Sequence, residues 1–298
     1  MAQSLILSVG ADGRFAGMVV AELVRCGASV RGMVHKPDNA GRVRASGVAD
    51  AVTGDLRDQK TLAAALEGVE SAFYIAPAFM SDEAEVGIGF VTAAKEAGVR
   101  RIVFSSVIHP ILAALQNHSA KGPVENAILE SGMEYTFLQP AMFFQNYAAT
   151  WSTVAQTGVF AEPYSAERPM TRVDYRDVAE VAAVALTEDR LVYGTFQLCA
   201  EGNLNRHDVA SLMAEALGRK IEVETLSFDE WVKKTNVPHD DDQLAELKKM
   251  FDWYDSHSLL GSALTLRAIL GREPRSLREY FVELNTQSTQ QAECRPRF

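Results

Sequence analysis

At 298 residues, with 47% apolar and 23% charged side chains, the chain can bury the core of one large or two modest domains. Its formal charge of −10 and pI of about 5.2 argue against a constitutive nucleic-acid surface, which needs clustered lysine and arginine to displace phosphate counterions. No apolar run reaches the roughly eighteen residues of a membrane span, and Cys26, Cys199 and Cys294 lack CxxC spacing, so free thiols in a reducing, cytoplasmic compartment are expected.

The opening MAQSLILSVG has no basic n-region, so no signal peptide is expected; it runs straight into a strand over Leu5–Val9. Further strands are predicted at Ser29–Val34, Ala51–Thr53, Ser71–Ile75, Arg101–Ser106 and Thr136–Gln139. Helices are predicted between them at Phe15–Arg25, Thr61–Leu66 and Asp82–Ala97, with Gly27 and Gly98 placed as helix-ending glycines. Strands alternating with helices call for parallel crossovers, hence an α/β doubly wound sheet.

The first strand runs into a glycine-rich turn, LILSVGADGRFAG. Gly10 and Gly13 follow the strand, Ala16 takes the third small position, and Gly17 comes next. Gly10 permits a tight turn, Gly13 lets backbone amides approach a diphosphate, and the small residue keeps helix and sheet close. This is a dinucleotide fingerprint; the competing reading is a structural turn. Asp12 adds a negative charge there, so its side chain must point away from the phosphates.

The second strand ends RGMVHKP rather than in the acidic residue that suits the ribose hydroxyls of NAD. His35 and Lys36, with Arg14 in the glycine loop, favour the 2′-phosphate of NADP(H), with NAD(H) as the alternative. TGDLRD then places Asp55 and Leu56 where an adenine is contacted, although the triplet is also a common turn. IAPAF ends the fourth strand with Ala76 and Pro77 at the crevice where such sheets bind ligands.

In QNHSAKGPVEN, Pro123 sits in the first turn of a helix, so His118 lies at or before its start and need not share a face with Lys121. Pro140 fixes the exit of the sixth strand in LQPAMFFQNYAATW. Phe143, Phe144, Tyr147 and Trp151 follow, either as wall for a flat apolar ligand or as core at helical spacing. Beyond residue 150, VDYRDVAEVAAVALTE (173–188) reads as a capped helix and GTFQLCA (194–200) as a strand, both returning to the sheet domain. The remainder is mainly helical. HDDD (239–242) reads as a solvated turn with a helix cap rather than a metal site. The polar tail over 285–298 lacks periodicity and reads as disordered. The domain division expected is 1–150 and 151–298.

Through GADGRFAG, RIVFSSVIHP, HSAKGPVENAILESGMEYTFLQPAMFFQN and FDWYDSHSLLGSALTLRAILGREP, the chain resembles the NmrA-like branch of the atypical short-chain dehydrogenases/reductases over nearly all of residues 4–284. The resemblance implies a Rossmann-type domain binding NADP(H) or NAD(H) and a smaller, mainly helical C-terminal region closing over a substrate cleft. Members include quinone and isoflavone-type reductases, enzymes of secondary metabolism, and redox sensors that bind nucleotide without turnover. This chain departs from the pattern at Asp12 (usually a hydroxyl residue), Ala16 (usually glycine) and His35 (often arginine).

The resemblance assigns Lys121 to the nicotinamide ribose, yet Asn117 stands four residues earlier, where the proton-donating tyrosine would be. Hydride transfer leaves an oxyanion that must be stabilised and protonated. Lys121, His118, His109 and Tyr147 are the candidates; the competing readings are a surface lysine paired with Glu125 and histidines bonded within loops. Ser105, at the end of the fifth strand, faces either the nicotinamide or nothing in particular. Two functions follow: an NAD(P)H-dependent reductase of a quinone-like or aromatic small molecule, or a non-catalytic sensor of the NADP(H)/NAD(H) state. Whether the chain forms a homo-oligomer is left open.

Overall fold

The computed structural model describes residues 4–77 and 79–293. They form two compact units, one of residues up to Pro140 with Tyr175–Leu198, the other of Ala141–Asp174 and the chain from Cys199 onward.

The N-terminal unit runs β1 (Leu5–Val9), α1 (Ala16–Arg25), β2 (Ser29–Val34), α2 (Ala40–Ala45), β3 (Asp50–Thr53), α3 (Gln59–Leu66), β4 (Ser71–Ile75), α4 (Glu83–Glu96) and β5 (Arg101–Ser105). Then come α5 (Gln116–Ser119), α6 (Lys121–Ser131) and β6 (Glu134–Pro140). All pairings in its seven-stranded sheet are parallel, in the order β10-β6-β5-β4-β1-β2-β3. The outer strand β10 (Gly194–Leu198) arrives late in the chain, after α8 (Tyr175–Thr187).

Strands covered on both faces are buried throughout, as in β5, which explains their unbroken apolar runs. Leu7, Val9, Tyr74 and Phe104 face α3, α4 and α6, while α1 and α8 pack together on the other side. The strand order reverses between β1 and β4, so the carboxyl ends of these two strands border the crevice where such sheets bind ligands.

The C-terminal unit contains β7 (Met142–Phe143), α7 (Trp151–Thr157), β8 (Val159–Glu162), β9 (Met170–Val173), β11 (Asn203–Leu204), α9 (Arg206–Leu217) and β12 (Glu222–Thr225). It continues with α10 (Phe228–Thr235), α11 (Asp241–Ser256), α12 (Leu264–Leu270) and α13 (Leu277–Glu293). Two small sheets, β11-β9-β7 and β12-β8, lie among the helices.

Two sequence expectations change in detail and one, the cap, is met. The helix expected from residue 173 starts at Tyr175, because Met170–Val173 pairs with β7 and β11. Residues 239–242 do form a cap: Asp240 accepts from Gln243 N–H at 2.9 Å, and no metal-holding group of His, Cys, Asp and Glu occurs among the described residues. The tail expected to be disordered from 285 instead continues α13 to Glu293. Leu277, Tyr280 and Phe281 anchor that helix in the core, Asn285 donates to the Ala216 carbonyl at 2.8 Å, and the hydroxyls of Ser288 and Thr289 bond back one turn. Residues 294–298, with Cys294, lie outside the described residues. Among the described residues no helix is long and apolar enough to cross a membrane.

Candidate cofactor site

The chain leaves β1 at Val9 and turns at Gly10, whose φ of +66° costs glycine little. The Gly13 N–H donates to the Gly10 carbonyl at 2.7 Å, and a Cβ on Gly13 would stand 3.0 Å from that same oxygen. Gly17 donates to the Gly13 carbonyl at 2.9 Å and lies in the first turn of α1, one residue after the buried Ala16. A bare backbone loop thus enters a helix N-terminus, where first-turn N–H groups and the helix dipole favour an anion.

The Asp12 carboxylate is turned toward the loop after β2, where the Asn39 amide donates to it. Arg42, at the start of α2, donates to the Asp12 carbonyl at 3.1 Å. The exposed Arg14, Lys36 and Arg42 therefore supply positive charge around the glycine loop and the end of β2, with the exposed His35 beside them. Asn39 and Arg42 are not legible as site residues from the strand-end rule. The only signal was a second cluster of basic residues, GRVR, a few positions on.

Phe15 is half-buried, with its ring 4.7 Å from that of Tyr175. Tyr175 is wholly buried, its hydroxyl 3.2 Å from Ser105 Oγ, and burial pushes its phenol well above the ordinary range. Ser105 is therefore engaged from below by a tyrosine that sequence reasoning missed. The Asp55 carboxylate accepts the Arg57 N–H at 2.9 Å as a turn into α3, while Leu56 and Ala76 pack half-buried against the core and Pro77 is exposed.

Lys121 opens α6 and is 8% exposed. Its ammonium is ion-paired with Glu83 in the first turn of α4, not with Glu125, which accepts from Gln139 at 3.0 Å. Burial pushes the Glu83 carboxyl above its usual range, with Lys121 pulling the other way. His118, 1% exposed, donates from Nδ1 to the His109 carbonyl at 3.3 Å, and burial pushes its pKa down. It serves as a neutral staple for the loop after β5, which corrects its reading as a proton donor. His109 has a φ of +52°, uncommon for a side-chain-bearing residue, and its Nδ1 lies 3.4 Å from the Gln197 amide.

The aromatic wall expected after β6 is a second correction. Phe144, Tyr147 and Trp151 are 1%, 6% and 3% exposed and belong to the core of the C-terminal unit. Trp151 stacks on Phe281 at 5.4 Å, Tyr147 meets Phe160 and Phe281 edge-on, and Phe144 tilts against Tyr280. Aromatic rings at helical spacing find partners across a core more readily than they stay open to a ligand. Burial also raises the Tyr147 phenol, removing it as a ready proton source. Phe143 is half-buried, and Pro140 closes β6 with its carbonyl accepting from Ile108 N–H at 3.0 Å.

A parallel sheet with a glycine loop at its switch point defines a dinucleotide-binding α/β fold of the Rossmann type. Within that class the chain belongs to the NmrA-like family, whose profile it matches over residues 2–283. It is 28% identical over 278 residues to the NAD(P)H azoreductase of Xenophilus azovorans, covering 93% of this chain and 96% of that one. An NADPH-dependent quinone oxidoreductase of Escherichia coli, solved with NADPH, superposes with a TM-score of 0.81 at 22% identity, covering 94% of this chain and 99% of the other. The Citrobacter sp. triphenylmethane reductase, solved with NADP(H), gives 0.82 at 21%, covering 95% and 100%.

Proposed function

We propose that this chain is an NADPH-dependent reductase, accepting NADH less well, that acts on a quinone-like or other flat aromatic molecule in a reducing, cytoplasmic setting. The glycine loop carries the reading: backbone left uncovered at Gly10 and Gly13, at the β1–β4 switch point, leading into the N-terminus of α1. In this reading that backbone grips the diphosphate, and Arg14, His35, Lys36 and Arg42 face the 2′-phosphate. Leu56, Ala76 and Pro77 flank the adenine side of the crevice, Lys121 holds the nicotinamide ribose, and Ser105 and Pro140 border the ring. The azoreductase, quinone oxidoreductase and triphenylmethane reductase among the relatives support an aromatic acceptor.

When bound, the nicotinamide supplies a hydride to the acceptor. The chain's own part is to hold the ribose through Lys121 and to deliver the balancing proton. We assign that proton to His109, which stands after β5 with its imidazole half-buried, whereas His118 and Tyr147 are closed off. Calorimetry with NADPH and NADH, followed by NADPH oxidation with quinone, azo and triphenylmethane acceptors, tests the reading. Tighter binding of NADPH and acceptor-dependent turnover on the order of 1 per second are expected. Failure to bind either dinucleotide at millimolar concentration would sink it, and binding without oxidation of any acceptor would mark a nucleotide sensor instead.

A further inference from the structure

Glu83 is 2% exposed, although it stands in the first turn of α4, two residues after the exposed Ser81. Its neighbour Asp82 is half-exposed and forms a paired contact with Arg57 at 2.8 Å. Glu83 points inward instead and meets Lys121 across the α4–α6 contact.

That contact is unusually close, and Gly87 makes it so. A Cβ on Gly87 would stand 2.5 Å from Val124 Cγ2 and 3.4 Å from the Tyr74 hydroxyl. Gly87 lies one turn after Glu83 on α4, and Val124 lies one turn after Lys121 on α6, so each pair shares a helix face. Where Gly87 admits Val124, the preceding turns bring the carboxylate to the ammonium. A buried ion pair of this kind is weak support for stability, because desolvation offsets much of the attraction. Its use is better sought in placement. An ammonium on a four-carbon stem has three donors; one is taken by Glu83, which leaves two for ligand hydroxyls.

We propose that Glu83 is the positioning residue for Lys121, fixing the ammonium at the start of α6 so that its remaining donors meet the nicotinamide ribose. The assignment rests on the reading of Lys121 given above and adds to it a residue 38 positions away in sequence. Preorganisation by a buried partner lowers the ordering cost that a free lysine would meet on binding.

The test compares Glu83→Ala, Glu83→Gln, Lys121→Met and the Glu83→Ala/Lys121→Met double variant. NADPH affinity is read by calorimetry, kcat and acceptor KM by turnover, and folding by the thermal midpoint. Glu83→Ala is expected to weaken NADPH binding about fivefold and lower kcat about 30-fold, with acceptor KM within about twofold. Glu83→Gln, which keeps an acceptor oxygen and fills the same space, should recover part of both losses. The double variant should be no worse than Lys121→Met alone, since residues acting as one unit are non-additive. If Glu83→Ala and Glu83→Gln keep wild-type kcat and NADPH affinity and only melt earlier, the pair is structural and the assignment fails. Losses that multiply in the double variant would also overturn it. A wild-type protein that binds no NADPH overturns the functional reading, and this assignment with it.

Discussion

Lys121 and Arg206 are both buried cations, one in each unit, and their partners differ in kind. Lys121 meets a single carboxylate, Glu83. Arg206, 0% exposed, donates to the backbone carbonyls of Tyr164, Ser165 and Glu224 and to the Thr225 hydroxyl, tying the segment after β8 to the end of β12. An arginine with four of its five N–H donors taken by oxygens on several sides is a clamp. A lysine with one partner keeps donors for a ligand. The aromatic residues divide in the same way: Phe15 stays half-exposed beside the glycine loop, while Phe144, Tyr147 and Trp151 are enclosed by other rings. Residue type alone does not mark a site; what matters is whether its partners exhaust it.

The comparison breaks first at the enclosed aromatics. Trp151→Ala should cost about 4 kcal/mol in urea unfolding, because it empties the space beside Phe281. An altered acceptor KM with unchanged stability would return Trp151 to the ligand wall. Arg206→Met should cost about 3 kcal/mol by the same measurement, since it strands buried carbonyls and leaves Glu162 with only Arg172 as a nearby positive charge; a neutral result would deny the clamp.

Glu162 offers a pH test. Burial lifts its carboxyl to about 7, against the pull of Arg206 and Arg172. Its folded pKa is raised, so its contribution to stability is fully present below the ordinary carboxylate value and is lost as pH rises toward 7. Glu162→Gln should therefore gain Tm relative to the wild type between pH 5 and pH 8, by about 3 °C. A difference that stays flat with pH would remove the assignment. The smallest effect belongs to the N-terminal unit. Arg42→Ala should reduce the preference for NADPH over NADH about fivefold, near 1 kcal/mol, with folding unchanged. Equal loss for both cofactors would place Arg42 outside 2′-phosphate recognition.

The first six strands and the glycine loop were legible because their signals are local: an apolar run, a turn glycine, a helix period. The division of labour at the site was not. The pairing of Lys121 with Glu83 depends on Gly87 letting two helices approach, and nothing near residue 121 announces it. His118 was visible as a titratable group, but its role depends on a carbonyl at His109 that burial makes its partner. In the C-terminal unit, Met142–Phe143 and Asn203–Leu204 are too short to show any period. They become strands only through pairing with Met170–Val173.

The N-terminal unit is discontinuous: α8 and β10 come from residues after 174, and β10 pairs with β6. A ribosome therefore finishes β6 and then makes thirty-odd residues of other structure before the last strand and its covering helix are available. During that interval β6 is an open edge, with a row of unsatisfied peptide groups that invites pairing with a neighbouring nascent chain. A gene fragment stopped after Pro140 would make that interval permanent, and should yield inclusion bodies rather than a small working nucleotide binder.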